Sequence, residues 1–145
     1  IVYNHPVNTF VAGFVGSPSM NLLSANVEVD GDTTWLRNGD AWSYLLDAER
    51  AGIARSASSA SVVAGLRHNA IKLHPNHHDG AIPARVYTVE PNGDITLVHA
   101  YLGDLLIVAS VPPGTHIKAD DVVWATFDLN QMHLFDGVTQ QTLET

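Results

Sequence analysis

Cysteine is absent from the 145 residues, which excludes a disulfide framework and every cysteine-ligated zinc site and fits a reducing cytosol. Positive charge is scarce. Lys and Arg number 7 against 15 Asp and Glu, a net charge of -8 with the 8 histidines neutral, so the chain as a whole repels phosphate backbones and anionic lipid, and nucleic acid is not an expected partner. No apolar run approaches the roughly 20 residues of a membrane span, and the first residues resemble neither a signal nor a transit peptide. No GxxxxGK[ST] run is present to cradle phosphates, so ATP hydrolysis by these residues is not expected. No HExxH frames a metal and no GxSxG frames a serine, so neither metalloprotease nor serine-hydrolase chemistry has a carrier. The expectation is a chain that is not itself an enzyme.

What is present is a core. At 46% hydrophobic the chain is long enough for one compact domain, or one with a small lobe. Val7, Phe10, Val11, Phe14 and Val15 recur at helical spacing, opened by Pro6 and stopped by Ser17-Pro18, which predicts a short amphipathic docking helix. Gly13 and Gly16 weaken it by about 1 kcal/mol each, so tertiary contact must hold it. Asn21 to Val29 and Thr33 to Leu36 read as a hairpin around Asp30-Gly31-Asp32. Trp42, Leu45, Leu46 and Ile53 predict a helix over Asp40 to Ile53, with Asp40 as its N-cap and Gly52 as a residue that can end it. The run ARSASSAS at 54–61 reads as a surface connection, mobile or ordered, and as the boundary of a possible minor lobe over 30–61. Strands follow at 62–66, 82–90, 95–102, 105–111 and 122–127, separated by Pro91-Asn92-Gly93, Gly103-Asp104 and Pro112-Pro113-Gly114. The pattern predicts a mainly β chain, an OB-like Greek-key barrel with an N-terminal docking helix and a small helical insertion.

Chemistry-bearing residues gather in His74-Pro75-Asn76-His77-His78-Asp79. His74, His77 and His78 are the candidate ligands for zinc, nickel or copper, alone or as the centre of a metal-dependent enzyme, although a solvated polar loop accounts for the same residues. Ser24-Ala25-Asn26 faintly resembles the oxyanion-binding motif of small molybdate-binding barrels, without that motif's arginine and downstream glycine. Trp35, Trp42 and Trp124 suit packing as readily as a ligand platform.

Tyr3, Pro6, Asn8, the run Phe10-Val11-Ala12-Gly13-Phe14-Val15-Gly16-Ser17-Pro18 and Met20-Asn21 resemble the junction between ATPase and C-terminal domains in ATP-binding subunits of bacterial sugar, polyol and glycerol-phosphate importers. Thr88-Val89-Glu90 with Asp94 to His99, and Val123 to Asp136, resemble that family's later hairpin and closing signature. Gly65-Leu66-Arg67 followed by His68-Asn69-Ala70 departs from its GIRPEH motif, and Gly31 to Ser61 is largely unmatched. The resemblance implies a TOBE/OB-like regulatory domain over 22–145, a linker helix over 1–21, and an ATPase domain preceding Ile1. It implies ATP and Mg in the parent chain and no cofactor in these residues. Its implied partners are the upstream nucleotide-binding domain, a second copy of the subunit, the permease subunits and a regulatory protein, with a cytoplasmic location at the inner face of the membrane. Phe10, Phe14, Met20 and Trp124 are the expected interface residues. The alternative is a stand-alone barrel binding a small ligand or an oxyanion.

Overall fold

A computed structural model describes residues 20–143, so the helix expected over Val7 to Val15, with Phe10 and Phe14, lies outside the described residues. The described residues form two five-stranded sheets. In chain order the elements are β1 (Asn21–Asp30), β2 (Thr33–Asn38), β3 (Trp42–Leu45), α1 (Ala48–Arg55), β4 (Ser61–Leu66), β5 (Ile71–His74), β6 (Ile82–Asn92), β7 (Ile95–Leu102), β8 (Leu105–Val111), β9 (Val122–Phe127) and β10 (His133–Asp136). The first sheet runs β10-β4-β1-β2-β3 and the second β5-β9-β6-β7-β8, and all the pairings are antiparallel.

Alternation explains the layering. Along β9, Val123, Ala125 and Phe127 are buried while Val122 is exposed and Trp124 and Thr126 are half-buried, the period of two that gives one face to the core. Leu23, Leu36, Val62, Ala64 and Leu134 of the first sheet meet Val86, Val98, Ala100, Ile107 and Ala125 of the second in one continuous core. The edges of the second sheet, β5 and β8, approach each other, which curls it toward an OB-like barrel.

Two side chains tie the sheets together. Asn21, at the start of β1, donates through Nδ2 to the carbonyls of Leu66 (2.9 Å) and Val108 (2.8 Å), and its Oδ1 accepts from the Val108 amide (2.8 Å). A carboxamide thus stands where β8 has no strand partner, satisfying edge groups that would otherwise face the barrel seam. Tyr44 of β3 packs on the Phe127 ring with centroids 4.6 Å apart, and its hydroxyl accepts from the Phe127 amide at 3.0 Å.

The stretch from Asp40 to Ile53 is not one helix. Trp42–Leu45 is a strand paired with β2, and α1 begins only at Ala48, capped by Asp47, whose side chain accepts from the Arg50 amide. Trp42, Leu45 and Leu46 fit a helical stripe, but β2 offers open ladder groups and Asp47 is the capping residue nearer to a run of good helix formers. Gly52 lies inside α1 rather than ending it. The connection after α1 is ordered, because Ser58 donates its amide (2.7 Å) and its hydroxyl (2.9 Å) to the Asp136 carboxylate.

Two hairpin ends meet where the sheets converge. Gly103 takes a positive φ of 59° in the β7–β8 turn, and a Cβ there would stand 2.8 Å from that of Ala41, in the turn leading into β3. Only glycine supplies both the left-handed turn and the close approach.

Candidate interaction surface

The outward face of the second sheet carries the expected interface residue Trp124 and most of the histidine run. In register, His74 of β5 pairs with Trp124 of β9, which pairs with Pro83 of β6. The next row runs from Val122 through Arg85 to Tyr101 and on to Leu106. Val122, Tyr87 and Leu106 are exposed apolar or aromatic side chains at 52%, 56% and 42%, which is more uncovered apolar area than an isolated surface residue leaves.

His74 ends β5, a four-residue strand with no counterpart in the sequence reading. Its Nε2 lies 2.9 Å from Thr126 Oγ1, and its ring stacks on that of His78 with centroids 4.3 Å apart and planes 10° from parallel. Burial, then the neighbouring His78 and Lys72, hold the His74 imidazole below its ordinary pKa. His77 turns instead to the edge of the Trp124 ring, 6.1 Å between centroids. The three imidazoles therefore stack and pack, and among the described residues no group of three or more His, Cys, Asp or Glu side chains is placed to hold a metal ion.

Met20 sits inside the chain. It is 4% exposed and packs with Phe135 in a small cluster separate from the main core, with Leu22 and Val63 against it. A Cβ on Gly65 would meet Met20 Sδ at 2.5 Å, so this glycine of the departed GIRPEH motif gives the methionine its seat.

Sequence reasoning singled out neither Tyr87, Tyr101 and Arg85 nor Asp136. The first three were recoverable from alternation, since the buried set Ile82, Ala84 and Val86 puts Arg85 and Tyr87 on the opposite face of β6, and buried Ala100 and Leu102 put Tyr101 on that of β7. Asp136 is 5% exposed and accepts from the amides of Ser58, Val138 and Thr139 and from the Ser58 hydroxyl. Those bonds, the Ser58 amide first, hold its carboxyl well below the usual carboxylate range. They make it a structural clasp that joins the end of β10 to the connection after α1.

Ser24, Ala25 and Asn26 line a separate cleft of about 190 Å³ with Arg37, Asn38, Gly39 and Ser61. The Arg37 guanidinium is paired there with Glu28 at 2.8 Å.

The fold is similar to that of the crystal structure of the cytoplasmic molybdate-binding protein ModG, which matches 79% of this chain and 94% of that one with a TM-score of 0.58 at 17% identity, a likeness of fold alone. Residues 78–134 match the TOBE domain family. Along nearly its whole length it is similar to importer ATP-binding proteins. The sulfoquinovosyl glycerol transport ATP-binding protein SmoE of Agrobacterium fabrum is 32% identical over 98% of this chain. The sn-glycerol-3-phosphate import ATP-binding proteins UgpC 1 of Rhizobium johnstonii and UgpC of Salmonella typhimurium are 32% and 33% identical over 99% and 97% of it. The chain spans 37–38% of the length of these relatives. The resemblance seen in the sequence motifs is thus borne out, as is the mainly β, OB-like fold.

Proposed function

We propose that this chain is the C-terminal regulatory and pairing domain of the ATP-binding subunit of an ABC importer for sugars, polyols or glycerol phosphates. The observation that carries the reading is the match of 97–99% of this chain to only 37–38% of each relative, the relation of one domain to a larger subunit. In this reading residues 1–21 are the linker from a nucleotide-binding domain, which would bind ATP and Mg, and residues 22–145 are the regulatory domain. The subunit works at the inner face of the membrane beside its permease partners, and among the described residues no helix is long and apolar enough to cross a membrane.

Pairing of two such subunits needs a surface, and the outward face around Trp124 is the one we assign, with Phe10 and Phe14 proposed as contacts to either the upstream domain or the second subunit. Its uncovered Val122, Tyr87 and Leu106 support that choice.

The deciding experiment is to sequence the source gene upstream of Ile1. An in-frame domain with a P-loop is the expected result, and a start codon immediately before Ile1 would overturn the reading. On the full subunit, Trp124→Asp should shift sedimentation from dimer toward monomer, and an unchanged profile would remove this face from the pairing model. The stand-alone ligand barrel has one observation in its favour, the polar cleft at Ser24, Asn26, Asn38 and Ser61. Calorimetric titration with molybdate tests it, a saturable heat being the supporting outcome.

A further inference from the structure

On the outward face of β6, β7 and β9 a cleft of about 260 Å³ opens where Arg85 stands between Tyr101 and Val122, lined also by Pro83, Ala84 and Gly103. Neither strand pairing nor core packing requires its polar groups. The Arg85 guanidinium lies over the Tyr101 ring, 5.5 Å from its centroid, and Arg85 Nη1 is 3.6 Å from Asp120 Oδ1. That distance is too long for a hydrogen bond, so donors and acceptors sit side by side at the rim without consuming each other.

Two backbone irregularities build this arrangement. β6 is bulged between Val86 and Thr88, and the bulged Tyr87 meets the Tyr101 ring edge-on, with centroids 5.8 Å apart. Asp120 holds a left-handed backbone at φ 71°, unfavourable for a residue with a Cβ. It is kept there because its amide donates to the Val86 carbonyl at 2.8 Å while the Val86 amide donates to the Asp121 carbonyl at 2.9 Å. Bulges that re-aim side chains and strained residues fastened from both sides concentrate at binding sites.

We propose that this cleft binds a small neutral polyhydroxylated ligand, a hexose or a polyol. A sugar has a C–H face, which Tyr101, Pro83 and Val122 can meet, and adjacent hydroxyls that both donate and accept, which Asp120 and Arg85 can answer together. The charges decide against an anion. Arg85 and Asp120 sum to zero, so a phosphate drawn to the guanidinium would confront the carboxylate. The cleft is small and open beside ordinary ligand pockets, so affinity falls in about the millimolar range, suited to reporting abundance rather than capturing a scarce ligand. The inference goes beyond the importer reading and holds or fails independently of what lies upstream of Ile1; Val122 belongs also to the face assigned to pairing, so the ligand reaches this cleft in the unpaired chain.

The test is amide chemical-shift titration of the full chain with D-glucose, glycerol and sn-glycerol 3-phosphate. Saturable shifts at Arg85, Tyr101, Asp120 and Val122 with glucose or glycerol are expected, at least about fivefold weaker in Arg85→Gln and in Asp120→Gly. Glycine suits the left-handed backbone, so the second variant removes the carboxylate while keeping the loop, and both side chains are exposed. No saturable shift at these amides up to about 100 mM of either neutral ligand overturns the proposal. So does undiminished binding in both variants, or tighter binding of glycerol 3-phosphate than of the neutral ligands.

Discussion

Replacing Asn21 by leucine removes three hydrogen bonds at once while keeping a side chain of similar size. At about 1 kcal/mol net for each bond the loss is roughly 3 kcal/mol, with more added if the Val108 amide and carbonyl stay dry and unpaired. Against a total stability of about 5–15 kcal/mol for a domain, that is a large share. With a urea slope of about 2 kcal/mol/M, the unfolding midpoint should fall by about 1.5 M. Hydrogen exchange gives a second readout, since the Val108 amide should lose protection to a degree that its neighbours in β8 do not. Asn21→Asp separates the contributions: the acceptor for Val108 remains, but a carboxylate now faces the two carbonyls of Leu66 and Val108, so it should be no more stable than the leucine variant. A midpoint shift under about 0.3 M, with Val108 still protected, would show that water or a neighbouring strand replaces the carboxamide and that Asn21 does not close the seam.

Other expectations follow from close approaches and from titrating groups. Gly137→Ala should destabilise more than Gly65→Ala, because the new Cβ at 137 collides with Ser61, including its backbone carbonyl 2.6 Å away, whereas at 65 it meets the flexible Met20 and the edge of Phe135 at 3.0 Å. Thermal melts of the pair check the ordering, with about 1–3 kcal/mol expected at Gly65 and partial recovery in Gly65→Ala with Met20→Ala. Asp136 has a folded pKa depressed below its ordinary 3.8, so its clasp is fully present above that value and is lost as pH falls below it. Asp136→Asn should flatten the acid limb of a stability-against-pH curve, and an unchanged limb would refute the assignment. His74 also has a lowered folded pKa, so its contribution is present above about pH 6.5 and declines below it, a slope that His74→Gln should reduce in urea melts at pH 5 to 8.

Legibility from the amino-acid letters followed the strength of the local signal. Ile95–Leu102, Leu105–Val111 and Val122–Phe127 fall where the sequence placed them, because long apolar alternation is fenced there by Gly103-Asp104 and Pro112-Pro113-Gly114. Trp42–Leu45 was misread because four residues cannot distinguish a period of two from one of 3.6, and the deciding partner, β2, lies outside the window. Ile71–His74 was missed for the same reason, its ladder to β9 joining residues about fifty positions apart. On the candidate surface, Trp124 is the one residue that the sequence reading named as an interface side chain. Arg85 and Asp120 were not named, since their meeting depends on a bulge and a left-handed residue that no short motif announces.

The order β10-β4-β1 also has a consequence for how the molecule comes into being. Among the described residues the first strand shares a neighbour with the last, and the Asn21 bridge waits for a residue 87 positions later. Such distant closures make for slow, late folding. During synthesis the second sheet can pair locally through its β6-β7-β8 meander while the first stays open on one side until His133 to Asp136 leave the ribosome. A chain that stopped short of His133 would lack the strand that seats Phe135 against Met20, and quality control would meet it as an unfinished sheet with an open edge.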